Sequence, residues 1–165
     1  MSYTCAVCGS THAGETRDIR MSLPEPIFVL GDEERAERAV VGDDSAVLQD
    51  PAGERFFVRG LLELPIEGEE GYFGYGTWIE VSRKDFEALG ELWFDEDGWR
   101  SLPFPGALAN ELTPYEGTEG LPVEIRLRDV QLLPLIELDG AHELVEDQRQ
   151  GITSHRAHEL AATAR

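Results

Sequence analysis

The chain has 165 residues, and 33 acidic against 14 basic side chains give a net charge of −19. That length suits one domain able to bury a core without disulfide support, and so acidic a chain, with no basic stripe, is not expected to bind nucleic acid directly. No apolar run approaches the roughly 18 residues of a spanning helix, and the opening Met1-Ser-Tyr-Thr-Cys5 lacks the basic and apolar parts of a secretory leader, so a cytoplasmic protein with no membrane partner is expected.

Both cysteines stand at the start, in the run Cys5-Ala-Val-Cys8-Gly9-Ser-Thr-His12. Two thiolates three positions apart on a glycine-opened turn can grip one side of a tetrahedral Zn²⁺, with His12 near enough to be a third ligand. The chain supplies no second cysteine pair, so a fourth ligand has to come from His142 or from a carboxylate such as Glu15 or Asp18. Three readings stay open for this knuckle: a structural zinc clip, a redox dithiol, and a turn carrying two reduced thiols without metal. Residues 1–20 form this knuckle-like leader and 21–165 an α+β body, together a single domain over 1–165.

In chain order, an irregular stretch runs to Leu30, and Asp32 is placed to cap a short helix to Ala39. Ala46–Leu48 predicts a short strand, and Asp50-Pro-Ala-Gly53 a turn into the next one. The strongest strand is predicted over Arg55–Ile66, where Phe56, Val58, Leu62 and Leu64 share one pleat face with Gly60, while Phe57, Arg59, Leu61 and Glu63 share the other. Glycine and acid at 67–71 predict a hairpin loop, with Tyr72–Ser82 returning as the antiparallel partner. Ser82 then caps a helix to about Trp93, with Asp85 as the acid of a capping box.

Residues 94–106, rich in Asp, Gly and Pro, are expected to be a long loop. Strands follow at Val123–Arg128 and Gln131–Leu138, then a helix from His142 to Gln150 stopped by Gly151, and a last helix capped by Thr153. Hairpin-linked strands with scattered helices predict an α+β fold, a mainly antiparallel sheet flanked by a few helices.

Several side chains invite a functional reading. Arg59 and Glu63 flank Leu61 on the second face of a central strand, either lining a pocket or forming half-buried ion pairs beneath a covering segment. Gly60, Gly74 and Gly76 either open a groove beside Trp78 or mark bulges and bends. His155 and His158 have a metal-compatible spacing in a polar, alanine-rich setting that favours a solvated face. Gln148 and Arg149 have no local explanation. No nucleophile elbow, phosphate loop or dinucleotide fingerprint is present.

With these pieces in place the chain resembles a bacterial family, domain of unknown function 2199, over nearly its whole length. The resemblance rests on the Cys5–His12 knuckle, Phe56-Phe-Val-Arg-Gly-Leu-Leu-Glu-Leu-Pro-Ile66, Trp78-Ile-Glu-Val-Ser82 and the Gly106, Leu108, Asn110, Leu112, Tyr115 series. It continues through Pro134-Leu-Ile-Glu-Leu138, His142 and Gln148-Arg-Gln-Gly-Ile-Thr153. It implies a further cysteine in the short strand where this chain has Ala46, and it implies no activity. The expected function is a non-enzymatic binding module with a Zn²⁺ clip at Cys5, Cys8, His12 and His142. Its acidic surface suits a basic protein partner, as an immunity or antitoxin-like protein would need. The alternative is a zinc-dependent enzyme with Cys5, Cys8 and His12 as ligands and Glu63 or His142 as base.

Overall fold

A computed structural model describes residues 2–4, 11–13, 18–130 and 132–163, with 2–4 and 11–13 described by backbone alone. The first strands, β1 (Ser2–Thr4) and β2 (Thr11–Ala13), pair antiparallel with Tyr3 opposite His12. Cys5 and Cys8 lie outside the described residues. The expected irregular stretch to Leu30 contains a strand, β3 (Asp18–Arg20), and a single-turn helix, α1 (Glu25–Phe28). Next come α2 (Asp32–Arg38), β4 (Ala39–Val41) and β5 (Ser45–Asp50). The N-cap of α2 is Gly31, one residue before the predicted Asp32.

The predicted hairpin is present as β6 (Gly53–Pro65) and β7 (Tyr72–Val81), paired from Phe56↔Val81 to Pro65↔Tyr72. Helix α3 (Arg83–Leu92) follows, and the Ser82 hydroxyl accepts from the Asp85 N–H at 3.1 Å as the capping pattern requires. The expected loop over 94–106 is corrected here, because β8 (Phe104–Leu108) begins inside it. Alternation cannot reveal this strand, since Pro105 and Gly106 interrupt its apolar positions. Then come β9 (Pro122–Arg126), β10 (Leu135–Leu138), α4 (Glu143–Gln150) and α5 (Ser154–Ala161).

Strands β6 to β10 run up and down in sequence and close into a barrel when β10 meets β6. Neighbours in such a meander are antiparallel, so five strands leave the first and last parallel; Leu135 pairs parallel with Leu61. Gly60 permits the closure, because a Cβ there would stand 2.3 Å from Ile136 Cδ1. Beyond Leu135 the backbones diverge, and Gln148 fills the gap like a short strand. Its Oε1 accepts from Leu138 N–H at 2.7 Å and its Nε2 donates to the Ile136 carbonyl at 2.8 Å. Ile152 completes the seam, donating to Pro65 O at 2.7 Å and accepting from Glu67 N–H at 2.8 Å. Gly151, at φ 89°, makes the turn between α4 and that contact.

Two apolar clusters result. The barrel interior holds Phe56, Val58, Leu62, Leu64, Phe73 and Ile136 among others, closed by α3 and by Leu144 and Leu160 of α4 and α5. The second cluster lies against the barrel's outer wall, where Phe57 and Trp78 are covered by Ile27 and flanked by Ala46, Leu48 and Ala109. Asn110 fastens the covering strap: its Oδ1 accepts from Thr77 Oγ1 at 2.9 Å and Trp78 N–H at 2.8 Å, while its Nδ2 donates to Leu23 O at 2.8 Å. Among the described residues, no helix is long and apolar enough to cross a membrane.

Candidate functional site

The outer face of β6 and β7 is apolar and covered at one end and open at the other. Register explains the change. Arg59 stands opposite Trp78, Leu61 opposite Gly76 and Glu63 opposite Gly74, and outward side chains alternate with inward ones, so two consecutive outward positions of β7 carry no side chain. β3 docks parallel along this stretch, Asp18 opposite Gly74 and Arg20 opposite Gly76. The approach at Gly74 is tight, because a Cβ there would lie 2.6 Å from Asp18 Oδ1, whereas one at Gly76 would be 3.7 Å from its nearest neighbours. Of the three glycines, Gly76 alone opens the groove beside Trp78 that one of the two sequence readings proposed; Gly74 is filled by Asp18, and Gly60 faces Ile136 inside the barrel.

The groove encloses about 470 Å³. Its floor is Leu61 and Gly76, β3 forms one wall with Asp18 and Arg20, and Leu132 and Leu133 form the facing wall. Trp93 from the end of α3 and Tyr72 from the start of β7 complete the lining. The facing wall is tied to the barrel: Arg128 Nε donates to Leu133 O at 2.6 Å, and Leu61 N–H donates to Pro134 O at 2.8 Å. Glu63 is spent on this support, 3.7 Å from Arg128 Nη1.

Arg59 is the centre of the site. Only 3% exposed, its guanidinium lies 4.4 Å above the Trp78 ring. Nη1 donates to Met21 O at 2.7 Å and Nε to Asp43 O at 3.0 Å, both neutral acceptors. Among the described residues the nearest carboxylate contact is loose, Nε to Asp44 Oδ1 at 3.9 Å. Burial, and then the charge of Arg20, push the Arg59 guanidinium below its ordinary value, against the opposing pull of Asp44 and Asp43. Two cations thus share one groove in an otherwise acidic chain. Arg59 lines the pocket as one reading expected, without Glu63, and is buried beneath a covering segment as the other expected, with carbonyl oxygens in place of a close ion pair.

A second hollow, bordered by Glu124, Glu137, Gln148 and Arg149, has the same volume, about 470 Å³. Two of its polar groups already serve the fold, Gln148 through the seam and Glu137 through its ion pair with Arg126 at 2.9 Å. It also lacks the apolar floor of the first groove.

The predicted metal ligands fall as follows. Cys5 and Cys8 are outside the described residues, and His12 is described as a backbone position in β2. His142 caps α4: its Nδ1 accepts from Leu144 N–H at 3.0 Å, and Nε2 donates to Glu116 O at 2.6 Å. Recruiting His142 to a metal would cost it one of those bonds. Ala46 belongs to the outer apolar cluster and is 2% exposed, a setting in which a cysteine packs as a small buried hydrophobe. Among the described residues, no three His, Cys, Asp or Glu side chains are grouped to hold a metal ion.

The motif positions are mostly structural. Leu108 and Leu112 are core, Asn110 is the strap fastener, and the Tyr115 hydroxyl donates to Asp147 on α4. His155 pairs with Glu159 at 3.2 Å along α5. Sequence reasoning did not find the Gln148 role or the loop wall at 132–133, because both depend on contacts across the chain. No curated protein and no solved structure matches this chain. A family model described as "Uncharacterized protein conserved in bacteria (DUF2199)" matches residues 4–152, a span that takes in every barrel strand and ends on the residue that seals β6. The chain belongs to that bacterial family.

Proposed function

We propose that this protein is a binding module whose working surface is the groove at Arg59, and that its ligand is a small molecule. The observation that carries the reading is the buried Arg59, held by carbonyl oxygens and lining a cavity floored by Leu61 and Gly76, with Asp44 at 3.9 Å its nearest carboxylate among the described residues. A buried guanidinium costs desolvation energy that a fully formed ion pair offsets; here that pairing is loose, which leaves the charge available to a ligand. Among the described residues the lining contributes arginine, aspartate, a phenol, an indole and hydrocarbon, and no serine, cysteine, histidine or lysine. These are groups that orient a ligand rather than attack it.

The opening knuckle belongs to the same proposal as an accessory. The β1–β2 hairpin brackets Cys5 and Cys8 in sequence and carries His12, an order that suits a Zn²⁺ held by those three residues and one further group, clipping the leader that runs into β3.

The test is a thermal-shift screen of small polar and amphiphilic compounds against the wild type and Gly76→Val. A Cβ at position 76 meets its nearest neighbours at 3.7 Å, so the strand admits a side chain there, valine's methyl groups reach into the groove, and a melting temperature close to wild type checks that the variant folds. Compounds that stabilise the wild type should lose their effect in the variant. Equal stabilisation of both proteins contradicts the proposal.

A further inference from the structure

We infer that the groove takes an apolar α-amino acid in its zwitterionic form, the carboxylate at Arg20 and Arg59 and the ammonium at Asp18. This rests on the groove being the binding site. The charges in the groove favour a zwitterion. Two arginines, Arg20 and Arg59, and two aspartates, Asp18 and Asp44, line one cavity. A net anion approaching a chain of charge −19 is repelled, whereas a zwitterion is neutral at a distance and meets both signs on arrival.

The spacing of the charges fits the same ligand. Asp18 and Arg20 are two apart on β3, on the same face of the strand, so their Cα atoms are about 7 Å from each other. That interval leaves room for one carbon bearing an ammonium on one side and a carboxylate on the other. Among the described residues neither Asp18 nor Arg20 has an ion-pair partner, whereas Glu63 and Glu80 are engaged with Arg128 and Arg55. Asp44 stands loosely at 3.9 Å from Arg59, and Asp18 is the carboxylate on the strand that carries Arg20. Arg59, fixed by Met21 O and Asp43 O, stands deeper, across the Leu61 floor.

The remaining surface suits an apolar side chain. Leu61, Leu133 and Trp93 supply hydrocarbon and an aromatic face beyond the charged wall, as a leucine or phenylalanine side chain requires. The size, about 470 Å³, belongs to the small end of ligand pockets, roughly 300–1,000 Å³. A folded protein partner is too large for it.

Isothermal titration of the full chain with L-phenylalanine and L-leucine tests this directly, beside L-phenylalaninamide, which lacks the carboxylate, and N-acetyl-L-phenylalanine, which lacks the ammonium. The free amino acids should bind, and each blocked derivative should bind about tenfold or more weakly, as loss of one charge-assisted contact implies. Arg20→Gln should remove the preference over the amide, and Asp18→Asn the preference over the N-acetyl compound. Both positions are exposed on a short edge strand, and an unchanged melting temperature confirms that each variant folds. A blocked derivative binding as tightly as the free amino acid overturns the inference while leaving the groove as a site. Absence of binding by all four compounds and by 3-phenylpropionate and phenethylamine overturns both.

Discussion

Substituting Gly60 by alanine probes the closure of the barrel. The added Cβ would stand 2.3 Å from Ile136 Cδ1, 2.6 Å from Ile136 Cγ1 and 3.3 Å from Pro134 O. Ile136 is 1% exposed inside the barrel, and Pro134 belongs to the stretch hydrogen-bonded to Leu61. Neither can withdraw without disturbing the seam. Overpacking of this kind costs about 1–3 kcal/mol, and with two side-chain atoms in conflict the upper half of that range is expected, about 2–3 kcal/mol. In a domain of this size each kcal/mol lowers the melting temperature by about 2–4 °C, so Gly60→Ala should melt roughly 4–12 °C below the wild type. Ile136→Val removes the Cδ1 atom. It should cost about 1 kcal/mol alone and recover stability in the Gly60→Ala background, giving a coupling of at least about 1 kcal/mol. Urea unfolding of the four proteins measures this cycle. Additive effects, or a Gly60→Ala melting temperature within about 1 °C of wild type, would show that β10 does not close on β6 here.

Other expectations follow from particular bonds. Asn110→Ala strands the buried Trp78 N–H and frees the strap at Leu23, and should cost about 2–4 kcal/mol, with new proteolytic cleavage between residues 21 and 30. Gln148→Ala opens the β10 edge and should cost about 1–3 kcal/mol, seen as faster amide exchange at Leu138. Burial raises the phenols of Tyr75 and Tyr115 above their ordinary 10.0, and Asp147 raises Tyr115 further. The unfolded chain releases these protons above about pH 10 while the folded one keeps them, so their stabilisation is complete below pH 10 and is lost as pH rises beyond it. The loss approaches about 1.4 kcal/mol per pH unit for each tyrosine. Lys84 is the sole lysine, so few other groups blur that window, and urea unfolding midpoints that stay constant from pH 9 to 11 would contradict the assignment. Protein purified without chelator should carry about one zinc per chain, and a Cys5→Ser, Cys8→Ser double variant should lose the metal and melt at a lower temperature; elemental analysis and calorimetry check both.

How much of this was legible in the sequence depended on whether the determinant was local. The β6–β7 hairpin was, because apolar alternation and a glycine-acid loop are properties of contiguous residues, and the caps at Ser82, Thr153 and Gly151 were legible for the same reason. Barrel closure was not. It needs β8, whose Pro105 and Gly106 erase the periodic signal, and a parallel contact between Leu61 and Leu135, which only tertiary packing brings about. The groove was half visible. Gly76 marked a missing side chain, and Arg59 with Leu61 marked a mixed face. The walls from β3 and residues 132–133 come from opposite ends of the chain. Gln148 had no local role because its partners, Ile136 and Leu138, lie on another element.

The groove between β3 and the 132–133 wall is the proposed binding site. Amide chemical-shift mapping on the labelled full chain, during titration with a compound that stabilises it, tests this most directly. The account predicts the largest changes at Arg20, Leu61, Gly76 and Leu133, with the Trp78 indole N–H, bonded to Met21 O at 3.1 Å, responding from beneath. Changes centred on the hollow between Glu124 and Arg149, or spread evenly over the surface, would contradict it.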